Sequence, residues 1–158
     1  ELTVGGRLFL KISDMPPHSM MSLYYDAKDA GFDLKYHFDL ESFSYTHEYG
    51  DGRSQEIFIE VLPEREGHGK TFRFLSRCLD LGRTPKKFLP YEKIYNLLLR
   101  NCEKTMHCRF GIDGGTNTLV VLSDQQMETM DRSEFELKFH YVAKVADEFE
   151  KGMGLDKY

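Results

Sequence analysis

The most regular apolar pattern lies in the last third of the chain. From residue 135 onward, apolar side chains recur in steps of four and three, at Phe135, Phe139, Val142, Ala146, Phe149 and Met153. This spacing places them on one face of an α-helix. Asp131, with Glu134 three residues later, is typical of a capping box at a helix N-terminus. The pattern therefore predicts a helix over about residues 131–152.

The apolar face of this helix is wider than one sheet needs to cover. Leu137, Tyr141 and Val145 flank the main stripe. An apolar stripe of this width is usual for a helix packed in a core, yet it also suits a second contact surface. Both interpretations stay open for these three residues.

Two shorter helices are predicted earlier in the chain. Over roughly residues 17–30 the helical spacing is carried by Met20, Leu23, Tyr24 and Ala27, and Gly31 supplies a stop. Over YEKIYNLLLRNCEK, residues 91–104, a second stripe is formed by Ile94, Leu97, Leu98 and Cys102.

Between these two helices the apolar period changes to two, which indicates β-strands. Residues 34–40 alternate on one phase and residues 43–49 on the other, so a bulge or tight turn is predicted between Leu40 and Phe43. Alternation resumes in QEIFIEVLP and in a segment that starts at KTFRF and runs to about Leu79, each preceded by turn residues. We expect residues 34–49 as one segment, QEIFIEVLP as the second and the segment from KTFRF as the third to form an antiparallel meander.

The remaining elements complete the predicted fold. MHCRFGID and NTLVVLSD, on either side of Gly114 and Gly115, predict a hairpin. Residues 2–12 alternate weakly after a Gly-Gly break and predict a short N-terminal strand. The fold class is therefore α+β, in the order helix, three-stranded antiparallel meander, helix, hairpin and long C-terminal helix, with a candidate extra N-terminal strand.

Composition narrows the classes of partner. The 158 residues are 41% apolar with 12 Phe and 9 Tyr, enough to build the core of a single domain spanning residues 1–158. The net charge of −5 argues against nucleic-acid and anionic-membrane partners. Three cysteines without framework spacing favour reduced thiols, so a cytoplasmic location is expected.

The candidate chemical motifs are weak. Cys102 and His107 are too far apart for a zinc-ligand pair, and His107 and Cys108 are adjacent, so on a strand they would point to opposite faces. GHGKT, residues 67–71, resembles the tail of a phosphate-binding loop, but Glu64 stands where that motif needs glycine and a strand follows. We expect no catalytic, cofactor-binding or metal-binding residue, and a small enzyme or ligand-binding domain remains the alternative.

The order of elements and three motifs carry a resemblance. IYNLLLRN at 94–101, CRFGIDGGTNTLVVLSDQQ at 108–126 and the closing helix SEFELKFHYVAKVADEFEKGM make the chain resemble the type III secretion chaperone-like fold. Within that fold it looks most like the YbjN-like family of sensory transduction regulators, over about residues 17–152.

The resemblance implies a cofactor-free homodimer that binds segments of other polypeptides, as a chaperone or a regulator. Aromatic strands offer edges and grooves to such a partner, although most of their rings are expected in the core. The predicted partner or dimer surface consists of Phe43, Tyr45, Phe58, Leu137, Tyr141 and Val145.

Overall fold

The computed structural model describes residues 3–4, 7–8, 18–64, 69–83 and 91–153. The helices are α1 (His18–Asp29), α2 (Tyr91–Lys104) and α3 (Arg132–Gly152). The strands are β1 (Thr3–Val4), β2 (Arg7–Leu8), β3 (Lys35–His37), β4 (Ser42–Glu48), β5 (Ser54–Leu62), β6 (Thr71–Asp80), β7 (Arg109–Asp113) and β8 (Thr118–Gln126). This order confirms the predicted α+β class.

Six strands form one antiparallel sheet in the order β3-β4-β5-β6-β8-β7. The predicted meander is confirmed as β4, β5 and β6, and the predicted hairpin as β7 and β8. The sheet is wider than the three-stranded meander we expected, because β3 adds to one side and the hairpin adds to the other through β8. Consequently β3 and β7 are its two edges.

The predicted phase switch between Leu40 and Phe43 is confirmed. A single 3₁₀ turn, Phe38–Leu40, separates β3 from β4, and Glu41 follows it in the left-handed conformation with φ of 45°. A residue other than glycine pays a steric cost there. The turn lets Tyr36 and Phe43 pair across the two strands although the alternation has changed phase.

The helices lie on one face of the sheet and enclose the main core. Phe135 and Phe139 of α3 are buried against the strands, and the ring of Phe135 lies 5.6 Å from that of Phe74. The α1 helix contributes Met20, Leu23 and Ala27, and α2 contributes Ile94 and Leu98. The stripe predicted for α3 is confirmed as a core face.

The opposite face of the sheet carries a smaller apolar cluster of Phe58, Leu75, Val120 and Leu122. These side chains come from the three central strands, where Phe58 pairs with Leu75 and Leu75 with Leu122. The guanidinium of Arg77 lies over the ring of Phe58 at 4.8 Å from the centroid, a cation–π contact that helps to cover it. The central strands therefore bury apolar side chains on both faces.

The predicted N-terminal strand falls largely on residues that the structure does not describe. Within residues 2–12 it describes β1 and β2, two-residue strands that pair with each other antiparallel in a small sheet separate from the six-stranded one. Leu10 and Ile12, which carried much of that prediction, lie outside the described residues.

The predicted helix bounds hold to within one or two residues. The Oδ1 atom of Asp131 accepts a hydrogen bond of 2.8 Å from the backbone N–H of Glu134, which confirms the helix start at that end of α3. No helix in the described ranges is long and apolar enough to cross a lipid bilayer.

Candidate functional site

A groove of about 420 Å³ lies between the C-terminal end of α2, strand β7 and helix α3. Its apolar walls are Met106, Phe110, Tyr141, Val145 and Phe149, and its polar lining is Asn101, Thr105, Lys144 and Glu148. Tyr141 and Val145 stand one helical turn apart, so they present side chains to the same groove. The sequence prediction named both residues, and the structure brings them together.

Ring contacts and one unusual hydrogen bond position the walls of this groove. The rings of Phe110 and Phe149 are 5.3 Å apart, and Tyr141 packs against His107 at 4.8 Å. The backbone N–H of Phe110 donates to the sulfur of Cys102 at 3.5 Å, which ties β7 to α2. Lys144 and Glu148 form an ion pair of 3.9 Å on exposed α3 positions. The groove could accept an apolar side chain of another molecule beside the weak ion pair of Lys144 and Glu148.

Exposed apolar side chains occur on α2, on the loop after it and on β7, and one of them, Met106, lines the groove. Leu99 is 72% exposed and Met106 is 85% exposed, and Tyr95 and Ile112 are exposed as well. Tyr95 and Leu99 are four residues apart and therefore share one face of α2. We refer to Tyr95, Leu99, Met106 and Ile112 as the α2 surface. Ile112 is exposed because it lies on the edge strand β7.

The six predicted surface residues do not form one surface. Leu137, Tyr141 and Val145 lie on the outer side of α3. Phe43 is fully buried in the main core, so its inclusion was wrong. Tyr45 packs on Phe139 at 4.9 Å between ring centroids. Phe58 is on the opposite face of the sheet, covered by Arg77. The pleat sends adjacent strand residues to opposite faces, and this separates the aromatic strand residues from one another.

The opening between α2 and β7 does not gather the residues that a zinc site would need. His107 contacts Tyr141, whereas Cys108 is buried in the main core. Burial raises the pKa of the Cys108 thiol to about 11 and raises the pKa of Cys78 as well, so both stay protonated at neutral pH. In the described part of the chain, no three His, Cys, Asp or Glu residues are placed to hold a metal ion.

A second, more polar cavity of about 550 Å³ lies near one end of the sheet and includes Arg73, Arg109 and Asp124. Arg73 binds Asp124 through two hydrogen bonds of 2.8 and 3.0 Å, and Arg109 binds it as well. Burial raises the pKa of Asp124, but the hydrogen bonds from the two guanidinium groups outweigh burial and hold it below the ordinary value. This carboxylate is an ion-pair partner and not a general base.

A buried polar cluster that sequence reasoning missed joins the β4–β5 turn to α3. Arg53 pairs with Asp147, which also accepts from Lys151 at 2.9 Å, and Gln55 donates to Ser76 at 2.8 Å. Burial, then the charge of Asp147, raises the pKa of Tyr49 to about 12. The only sequence signal was an acidic residue, Asp147, between the core positions Ala146 and Phe149. The cluster attaches the β4–β5 turn to α3, so its role is structural.

Comparison with known proteins identifies the fold. No protein-family profile matches the chain, and no curated protein matches it in sequence. Solved structures that are similar in shape include two chaperone complexes. The Yersinia pestis type III secretion chaperone SycH, in complex with a stable fragment of YscM2, superposes with a TM-score of 0.51 at 11% identity, covering 81% of this chain and 96% of its own.

The second structure is the HopA1–SchA chaperone–effector complex. It superposes with a TM-score of 0.53 at 8% identity and covers 85% of this chain and 99% of its own. At these identities the likeness is one of fold. The chain therefore has the type III secretion chaperone-like fold that its element order predicted.

Proposed function

We propose that this protein is a non-catalytic, polypeptide-binding protein that acts as a homodimer, either as a chaperone or as a regulator. The observation that carries the proposal is the combination of the groove with the adjoining α2 surface. The two similar structures contain a chaperone with a fragment of another protein and a chaperone with an effector, which supports the same class of function.

The groove is the proposed site for an apolar anchor of the bound polypeptide. Its wall of Met106, Phe110, Tyr141 and Val145 would cover a Leu or Phe side chain, and such burial contributes about 1.5–3 kcal/mol. Asn101 and Thr105 add side-chain groups that can bond to the partner's backbone. A methionine in this wall suits a site that accepts varied partners, because its side chain adapts to different shapes.

The α2 surface is the proposed dimer interface. A two-fold axis beside α2 would place Leu99 and Met106 against the same residues of a second copy. Large apolar side chains as exposed as these favour association, since their burial removes apolar area from water. The groove opens beside this surface at Met106, so dimerisation would extend the groove's wall.

The finer assignments rest on sequence. The hairpin CRFGIDGGTNTLVVLSDQQ supports membership of the YbjN-like regulators within this fold. The net charge of −5 and the three unpaired cysteines support a cytoplasmic protein with neither nucleic acid nor membrane as partner.

Light scattering on the purified chain and on two variants tests the dimer. We expect twice the single-chain mass for the wild type and a single-chain mass for Leu99→Asp, since a desolvated carboxylate opposes the interface. Ser22→Asp, at an exposed position on the different helix α1, is the matched control and keeps the dimer. A wild-type monomer, or a Leu99→Asp dimer, would contradict the proposed interface.

Suppression of aggregation of reduced insulin B chain tests the groove. We expect wild-type protein to slow aggregation and Tyr141→Ala to lose most of that effect, because the groove loses one wall. His140→Ala, the exposed neighbour on α3, serves as the control. If the wild type leaves aggregation unchanged, the polypeptide-binding function itself is refuted.

A further inference from the structure

The edge of the sheet opposite the groove carries its own exposed apolar surface. Phe38 is 65% exposed, Leu40 is 58% exposed and Tyr25 is 56% exposed. Phe38 and Leu40 belong to the turn that follows β3. Tyr25 is linked to β3 by ring contacts that run through Tyr24, Phe43 and Tyr36 at 5.2 to 6.0 Å. We call Tyr25, Phe38 and Leu40, with strand β3, the β3 edge.

The backbone of this edge is available for pairing. In the described part of the chain β3 pairs with β4 alone, so one side of Lys35–His37 has free main-chain groups.

The charges around this edge define what it would attract. Residues 25–41 hold a net charge of −3, from two lysines and five carboxylates, Asp26, Asp29, Asp33, Asp39 and Glu41. All five carboxylates are exposed, and none of them forms an ion pair within the described ranges. This short stretch therefore accounts for more than half of the −5 of the whole chain.

We infer that the β3 edge binds an extended segment of a partner polypeptide in which basic and large apolar residues alternate. An added strand would pair with the free side of β3, and its alternate side chains would lie on Phe38 and Leu40 or among the carboxylates. Charge complementarity selects a basic segment over an acidic one. The inference rests on the proposed function, since it specifies the chemistry of the bound polypeptide at a second site.

Fluorescence anisotropy with two labelled peptides tests the inference. One probe alternates Lys with Val and Phe over about ten residues, and the other carries Glu in place of each Lys. The wild type should bind the Lys probe about tenfold more tightly than the Glu probe or better. Binding of the Lys probe should weaken several-fold between about 0.05 and 0.5 M salt, because exposed charges are screened.

Variants locate the binding. Phe38→Ser should weaken the Lys probe about tenfold, since an exposed apolar contact is lost. The pair Asp29→Asn and Asp39→Asn should weaken it and flatten its salt dependence. The matched pair Glu92→Gln and Glu103→Gln, on exposed α2 positions, should change neither.

The outcomes separate this inference from the proposed function. The inference is overturned if neither probe binds or if the two probes bind equally well. It is also overturned if the Lys probe still binds Phe38→Ser but no longer binds Tyr141→Ala, because the probe would then lie in the groove. None of these results bears on the insulin assay or on light scattering, which test the polypeptide-binding function and the dimer independently of the β3 edge.

Discussion

The two edges of the sheet both have exposed apolar side chains nearby, but they differ in charge and in the elements that cover them. At the β7 edge, α2 and α3 form walls, and neighbouring charges such as Arg109 and Asp124 are paired. At the β3 edge, the large apolar residues stand beside carboxylates that are unpaired in the described part of the chain. At the β7 edge, where helices form walls and the charges are paired, we expect a partner to be selected by its shape. At the β3 edge, where the carboxylates are unpaired, we expect a partner to be selected by its charge.

The largest loss of stability is expected from a substitution in the main core, which supports both edges of the sheet. Phe139→Asp places an unpaired carboxylate among Phe32, Tyr45 and Phe135, and the loss of several kcal/mol is comparable with the whole stability of a domain. Circular dichroism should show an unfolded chain. Leu137→Asp, two residues away and exposed, should stay folded, and a folded Phe139→Asp protein would contradict the helix register.

The next effect should fall on the β4–β5 turn and leave the β7 edge intact. Asp147→Asn removes the charge that Arg53 and Lys151 share at a buried position, and we expect it to lower the free energy of unfolding by about 2 kcal/mol. Urea denaturation measures the loss. Asp51→Asn removes the exposed partner of Arg53 and should cost under about 0.5 kcal/mol. Equal losses in the two variants would show that burial of Asp147 is unimportant.

A smaller effect should be confined to the β7 edge. A Cβ atom on Gly111 would lie 2.9 Å from Cδ2 of Leu122, so Gly111→Ala forces a flexible side chain to move and should cost about 1 kcal/mol. Gly114→Ala, with no atom within 4 Å of its added Cβ, is the matched control for thermal unfolding. If both substitutions have the same effect, the close approach between β7 and β8 at Gly111 is not tight.

The smallest effect is a pH dependence that belongs to the β7 side. The folded protein holds the pKa of Asp124 below its unfolded value, which is about 4. The stabilisation by this carboxylate is therefore complete above the unfolded pKa and is lost as the pH falls through the folded pKa. Between pH 5 and pH 3, the free energy of unfolding of Asp124→Asn should change less than that of the wild type. The difference between the two changes is the contribution of this one partly buried carboxylate. An unchanged pH profile would contradict the role of Arg73 and Arg109.

The sequence predicted the elements more completely than the surfaces. Helical and strand periods located α3, α2 and the β4–β6 meander because each period reports one buried face. They could not assign Phe43 and Phe58 to opposite faces of the sheet, since both are aromatic residues on alternating strands that bury apolar side chains on both sides. The width of the α3 stripe pointed to Tyr141 and Val145, which line the groove. Met106 also lines it, but a single loop residue has no period that could indicate this.

The strand order favours a particular sequence of events in folding. β6 pairs with β8 from Thr71↔Gln126 to Asp80↔Thr118, so this central ladder closes loops of roughly 40 to 55 residues, which include α2 and β7. The hairpins β3–β4, β4–β5 and β5–β6 close much shorter loops and should form earlier, since local pairing loses less chain entropy. The acidic β3 edge would then form on a newly made chain before the groove does. The basic partner segment that we propose for this edge would have its site before α2 and β7 are in place.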